Sequence, residues 1–80
     1  MIERKMFYTK YDVYDGMSNT QLTEQSMLAK KTNLDRLNIW IASEAESIKR
    51  IINIQETSYS SFNSDNSPFW EKLICFYETN

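Results

Sequence analysis

The sequence predicts a small α+β domain: an N-terminal β-hairpin packed on one long central helix, completed by a C-terminal helix or strand. Three observations lead there. Residues 5–14, KMFYTKYDVY, are dense in aromatic side chains and run into Asp15-Gly16. Residues 33–56 carry apolar side chains at helical spacing. Residues 57–67, TSYSSFNSDNS, make a polar break before a last apolar segment. The alternative is an all-α small bundle, because short apolar runs fit more than one period.

Taken as a strand, residues 5–14 alternate between two faces. Phe7, Thr9, Tyr11 and Val13 form an apolar face suited to a core. Met6, Tyr8, Lys10, Asp12 and Tyr14 form an amphipathic one. Asp15-Gly16 reads as a tight hairpin turn, since glycine accepts the positive φ that such turns demand. Folding back would make residues 17–24 a weak second strand. The helical rival uses Ser18 and Gln21 as a capping box that opens a helix through Lys31.

Residues 33–56 predict the central helix. Thr32 or Asn33 serves as N-cap, with Asp35 in the first turn, where negative charge suits the dipole. Leu34, Leu37, Ile41, Ala45, Ile48 and Ile52 fall in one stripe. Trp40, Ile51 and Ile54 widen it on one flank, and Ile39 lies nearly opposite. A helix packed on one sheet needs a single stripe, so the extra apolar surface points to a second contact. Residues 57–67 are an internal polar loop within a single domain, 1–80. Ser67-Pro68 then reads as N-cap and N1 of a last helix. The segment KLICFYE is β-prone enough to be a strand instead.

Composition narrows function. The 80 residues contain no histidine, one cysteine and one glycine, with net charge −2. The commonest general base and metal ligand is therefore absent. Cys75 has no histidine partner to make it a nucleophile and sits in an apolar run, as a core thiol does. Glu44 and Glu46 point about 160° apart on a helix and make no joint site. The run NSDNS lacks the glycine and the closing glutamate of a calcium loop. A single glycine leaves no phosphate-binding loop. No catalytic residue, cofactor or metal is expected. The sequence begins without the apolar core of a signal peptide, and no apolar run reaches the ~20 residues of a membrane span. The expectation is a cytoplasmic protein. Small domains without disulfide or metal often gain stability by self-association, so a homo-oligomer is also expected.

Two binding classes remain. A protein partner is favoured by aromatics at 14% of the chain, because Tyr, Trp, Phe and Met are enriched in interface cores. The candidate contacts are Tyr8 and Tyr14 near the N-terminus, Ile39, Trp40, Ile51 and Ile54 centrally, and Trp70 and Tyr77 near the C-terminus. The corresponding function is a non-enzymatic inhibitor or regulator that occludes a target's surface, of a kind common in phage and mobile elements. The other class is RNA or single-stranded nucleic acid, held by tyrosine stacking and basic doublets. Those doublets are Arg4-Lys5, Lys30-Lys31 and Lys49-Arg50, with Lys10 beside the tyrosines.

Overall fold

A computed structural model describes residues 1–13, 16–60 and 68–80. The element order is β1 (Ile2–Asp12), α1 (Asn19–Ser43), β2 (Ile48–Ser60) and β3 (Pro68–Thr79). The three strands form one antiparallel sheet in the order β1-β3-β2. β3 is central, so β1 and β2 run parallel to each other with β3 between them. Parallel strands require a crossover connection, and α1 supplies it. The chain is elongated, 49 × 21 × 16 Å, because strands and helix all lie lengthwise in two layers.

The α+β class and the packing of the N-terminal strand on one long helix stand as the sequence implied. The placement of elements differs. Residues 17–24 do not return as a strand. Their latter part is the first turns of α1, and the antiparallel partner of β1 is β3, with Ile2 opposite Glu78 and Asp12 opposite Pro68. Ser18 is the helix N-cap and forms the reciprocal capping box with Gln21, at 3.1 and 2.9 Å. Gly16 takes φ +86°, a left-handed conformation that a Cβ would strain, but it serves a strand-to-helix connection rather than a hairpin.

The helix ends near Ser43 rather than continuing to residue 56. Ile48, Ile51, Ile52 and Ile54 are β-branched and belong to β2, where they suit a pleated surface. Thr57, Ser58, Tyr59 and Ser60 of the expected polar loop are strand residues instead, and the rest of it, 61–67, lies outside the described residues. The C-terminal segment is the central strand. Pro68 opens it, a position where the missing N–H costs least. The strand meets neighbours on both edges and carries apolar side chains on both faces.

The core lies where α1 crosses β1 and β3. Leu37, Leu73 and Cys75 are buried together, with Phe7, Trp40 and Ile41 packed around them. Strand alternation puts Phe7, Thr9 and Tyr11 of β1 on the helix side, opposite Leu73, Glu71 and Phe69 of β3. Leu37→Ala removes buried methyl groups beside Leu73 and leaves a cavity. The expected loss is about 2–5 kcal/mol in denaturant unfolding. Ile39→Ala, on the exposed side of the same helix, is expected to change stability by less than about 0.5 kcal/mol.

Candidate functional site

Two features stand out once the layers are in place. One is a polar cluster inside the sheet–helix interface. The other is the sheet face that the helix does not touch.

Glu71, in the middle of β3, is 1% exposed. Its carboxyl group accepts hydrogen bonds from Tyr11 of β1 at 3.2 Å, Ser26 of α1 at 2.7 Å and Ser58 of β2 at 2.6 Å. Its backbone carbonyl accepts from Asn33 Nδ2 at 2.8 Å, and Asn33 Oδ1 accepts from Thr9 at 2.7 Å. Among the described residues, no basic group pairs with Glu71. Burial holds the Tyr11 hydroxyl in its neutral form and raises its pKa above 10.0, aided by the neighbouring Glu71 charge and opposed by the Ser26 hydrogen bond. Glu71 and Asn33 are closed to solvent, Ser26 and Thr9 are partly open and Ser58 is exposed at the rim, and the groups satisfy one another. The cluster ties the elements together.

Cys75 is buried four residues along the same strand face, in apolar surroundings. Burial pushes its thiol above 9.0. A thiol disfavoured as thiolate is a poor nucleophile. Among the described residues, no three His, Cys, Asp or Glu side chains converge as a metal site would need.

The opposite face of the sheet is different in kind. Reading across the strands from the Pro68 end, Lys10, Trp70 and Tyr59 form one row, and Tyr8, Lys72 and Thr57 the next. Met6, Ile74 and Gln55 follow, then Arg4, Phe76 and Asn53. No described element lies over these side chains. Three rings run across the three strands: Tyr8 meets Trp70 edge-on at 6.5 Å, and Trp70 lies parallel to Tyr59 at 6.3 Å. Tyr8 and Tyr59 remain 39% and 40% exposed. The Lys72 ammonium sits 5.9 Å from the Tyr59 ring centre. Contacts of these kinds contribute about 0.5–1.5 kcal/mol each and hold the rings in place.

The described charges on this face are mostly positive: Arg4, Lys10, Lys72 and Arg50. Glu78 is the described acid there, at the far end, held by Arg50 at 2.7 Å and Lys49 at 3.6 Å. Asp12 pairs with Pro68 at the end of β1, and its side chain lies outside the described set. Glu3, Glu56 and Glu71 lie on the helix side by strand alternation, and Glu24, Asp35, Glu44 and Glu46 lie on α1 and the turn after it.

The residues singled out from sequence scatter over this architecture. Tyr8 and Trp70 are on the helix-free face, with Arg4, Lys10 and Arg50. Tyr14 lies outside the described residues. Trp40 belongs to the helix–sheet layer, packed against Tyr77 at 4.9 Å and Phe7 at 6.3 Å. Tyr77 is on that side too and donates to Glu3 at 3.1 Å. Ile51 and Ile54 are exposed on β2, which α1 does not cover. They do not form a helical flank with Trp40. Ile39 projects from the outer helix surface. Lys5 faces the helix layer beside Phe7, and Lys30 and Lys31 are on α1. The basic doublets are therefore divided between faces. Tyr59 and Lys72 are absent from the sequence candidates because residues 57–60 read as loop and the segment holding residue 72 reads as either helix or strand. The signal was the β-prone alternation of Thr57 and Tyr59, continuous with the isoleucines before it.

Comparison with models of protein families, with curated proteins and with solved structures finds no match to this chain.

The buried thiol and phenol make stability fall at alkaline pH. Both groups have a folded pKa above the unfolded one, so their stabilisation is complete at neutral pH. It is lost as pH rises past the ordinary values of 9.0 and 10.0. The urea midpoint is expected to be level up to about pH 9 and to fall above it. In Cys75→Ala the onset moves up toward pH 10. A midpoint that climbs between pH 9 and 11 contradicts the assigned burial.

Proposed function

We propose that this chain is a non-enzymatic binding module that acts by laying the helix-free face of its sheet against another macromolecule, as a small inhibitor or regulator does. The observation that carries this reading is the row Tyr8–Trp70–Tyr59 across all three strands, with Tyr8 and Tyr59 exposed, Trp70 partly buried between them and nothing described above it. A monomer leaves such rings in water at a cost that grows with their exposed apolar area, about 25 cal/mol per Å². Rings locked by their neighbours lose little entropy on binding and make good anchors. The buried chemistry supports a structural role: Glu71 is satisfied by hydroxyls and Cys75 is disfavoured as thiolate. Inhibition would then be steric, with no residue of this chain reacting.

Tyr59→Ala and Tyr8→Ala test the assignment. Each truncates a half-exposed ring and its contacts with neighbours, so each is expected to cost about 1–2 kcal/mol and to leave the chain folded. Each is also expected to weaken target capture by tenfold or more, as truncation of an aromatic anchor does. Chemical unfolding and a binding titration on the same samples separate the effects. Variants that fold and bind like the wild type remove the face from consideration. An effect confined to the Ile51 and Ile54 surface would move the contact to the helix side of β2.

A further inference from the structure

Resting on that reading, we infer that the macromolecule this face holds is single-stranded nucleic acid, with unpaired bases on Tyr8, Trp70 and Tyr59 and backbone phosphates against Lys10, Lys72 and Arg4. Charge and shape together point to this ligand. Nearly all described acids lie on the helix side or on the helix, although the chain as a whole is acidic. The face with the rings carries Arg4, Lys10, Lys72 and Arg50 against two acidic positions, Glu78, already paired at the opposite end, and Asp12, which the register sets at the Pro68 end of β1.

The rings and the bases also interleave. Lys10 stands opposite Trp70, and Lys72 stands opposite Tyr8. Tyr59 lies beside Trp70 and under the Lys72 ammonium. Each ring thus has a cation within one residue's reach. A single strand offers a matching alternation, since every nucleotide brings one flat apolar base and one phosphate. A protein surface acidic enough to match these cations would be poor in the apolar groups needed to cover three rings, because interface cores are depleted of charge. A duplex fails for another reason: its bases are stacked and paired inside, out of reach of a flat sheet. The ring spacing of 6.5 and 6.3 Å carries the row across the whole sheet. That row holds about three bases, laid across the strands rather than along one.

The test is a fluorescence-anisotropy titration of the full chain into a labelled oligothymidylate, a labelled oligouridylate and the duplex form of the first. Binding to the single strands is expected, with the duplex at least about tenfold weaker. Three phosphate contacts give a slope of log affinity against log salt of about −2, or roughly a fifteenfold loss between 50 and 200 mM salt. Lys72→Gln and Lys10→Gln should each flatten that slope by about 0.7. Tyr59→Ala should weaken binding roughly tenfold while its urea unfolding curve shows the chain still folded under the binding conditions. No binding, or binding that ignores salt and Tyr59, overturns the inference. Capture from lysate is run in parallel after nuclease treatment. If the oligomers do not bind but a protein is captured by the wild type and lost in Tyr59→Ala, the nucleic-acid inference falls and the contact-face reading survives. If the oligomers do not bind and capture is identical in both, the two fall together.

Discussion

The carboxyl group of Glu71 is where all four elements meet. Tyr11 comes from β1, Ser26 from α1 and Ser58 from β2, and all three donate to one side chain of β3. Asn33 adds a second tie from the helix to the same residue's backbone. A carboxyl group buried without partners costs several kcal/mol, so sliding any element out of register is penalised. The apolar core alone is weaker at this task. Leu37, Leu73 and Cys75 make a short cluster that would tolerate a helix shifted along the sheet. The polar cluster has a single geometry in which every group is satisfied, and that fixes the helix over β1 and β3.

From that placement follows what is left uncovered. One helix is about 10 Å across, and a three-stranded sheet is wider than that. With α1 held over β1 and β3, the helix side of β2 keeps Ile51 and Ile54 in solvent, and the reverse of the sheet keeps its aromatic row. The edges are treated differently. Arg36 donates to the backbone carbonyl of Tyr8 at 2.9 Å and so blunts β1 as a template for another strand. β2 carries irregular register between Ile48 and Asn53, where a bulge discourages edge pairing. Sheet extension is thus hindered at both edges over these stretches, while the flat face stays open. Most described acids lie on the covered side or on the helix, while the basic residues are shared between the two faces.

Much of this was legible in the sequence, and the misses have physical causes. The alternation of residues 5–14 correctly separated Phe7 and Tyr11 from Tyr8. The capping box at Ser18 and Gln21 was visible too, but the helix it opens has little amphipathic signal. Its buried positions include Ala29 and Asn33, a small residue and a polar one. Asn33 looks like a helix start, and here its side chain is spent on Glu71. The isoleucines from 48 to 54 mimic a helical stripe over a short window, and only their β-branching argued for a strand. Glu71 itself was unreadable. It appears as an ordinary first-turn acid after Pro68, because partners 13, 45 and 60 residues away are not local information. The open face was half legible: Tyr8 and Trp70 were noticed, while Tyr59 was hidden in what looked like a loop.

The central claim is that one carboxyl group couples elements that otherwise do not touch. A double-mutant cycle tests it directly. Ser26 and Ser58 lie on α1 and β2, which share no contact surface of note, and both reach Glu71. Ser26→Ala, Ser58→Ala and the double variant are unfolded in urea under one set of conditions. The account predicts that the two losses are not additive, with a coupling of about 1 kcal/mol, since both hydroxyls serve the same acceptor. Losses that add within about 0.3 kcal/mol would mean that the hydroxyls act independently. Glu71 would then not be the point on which the fold depends.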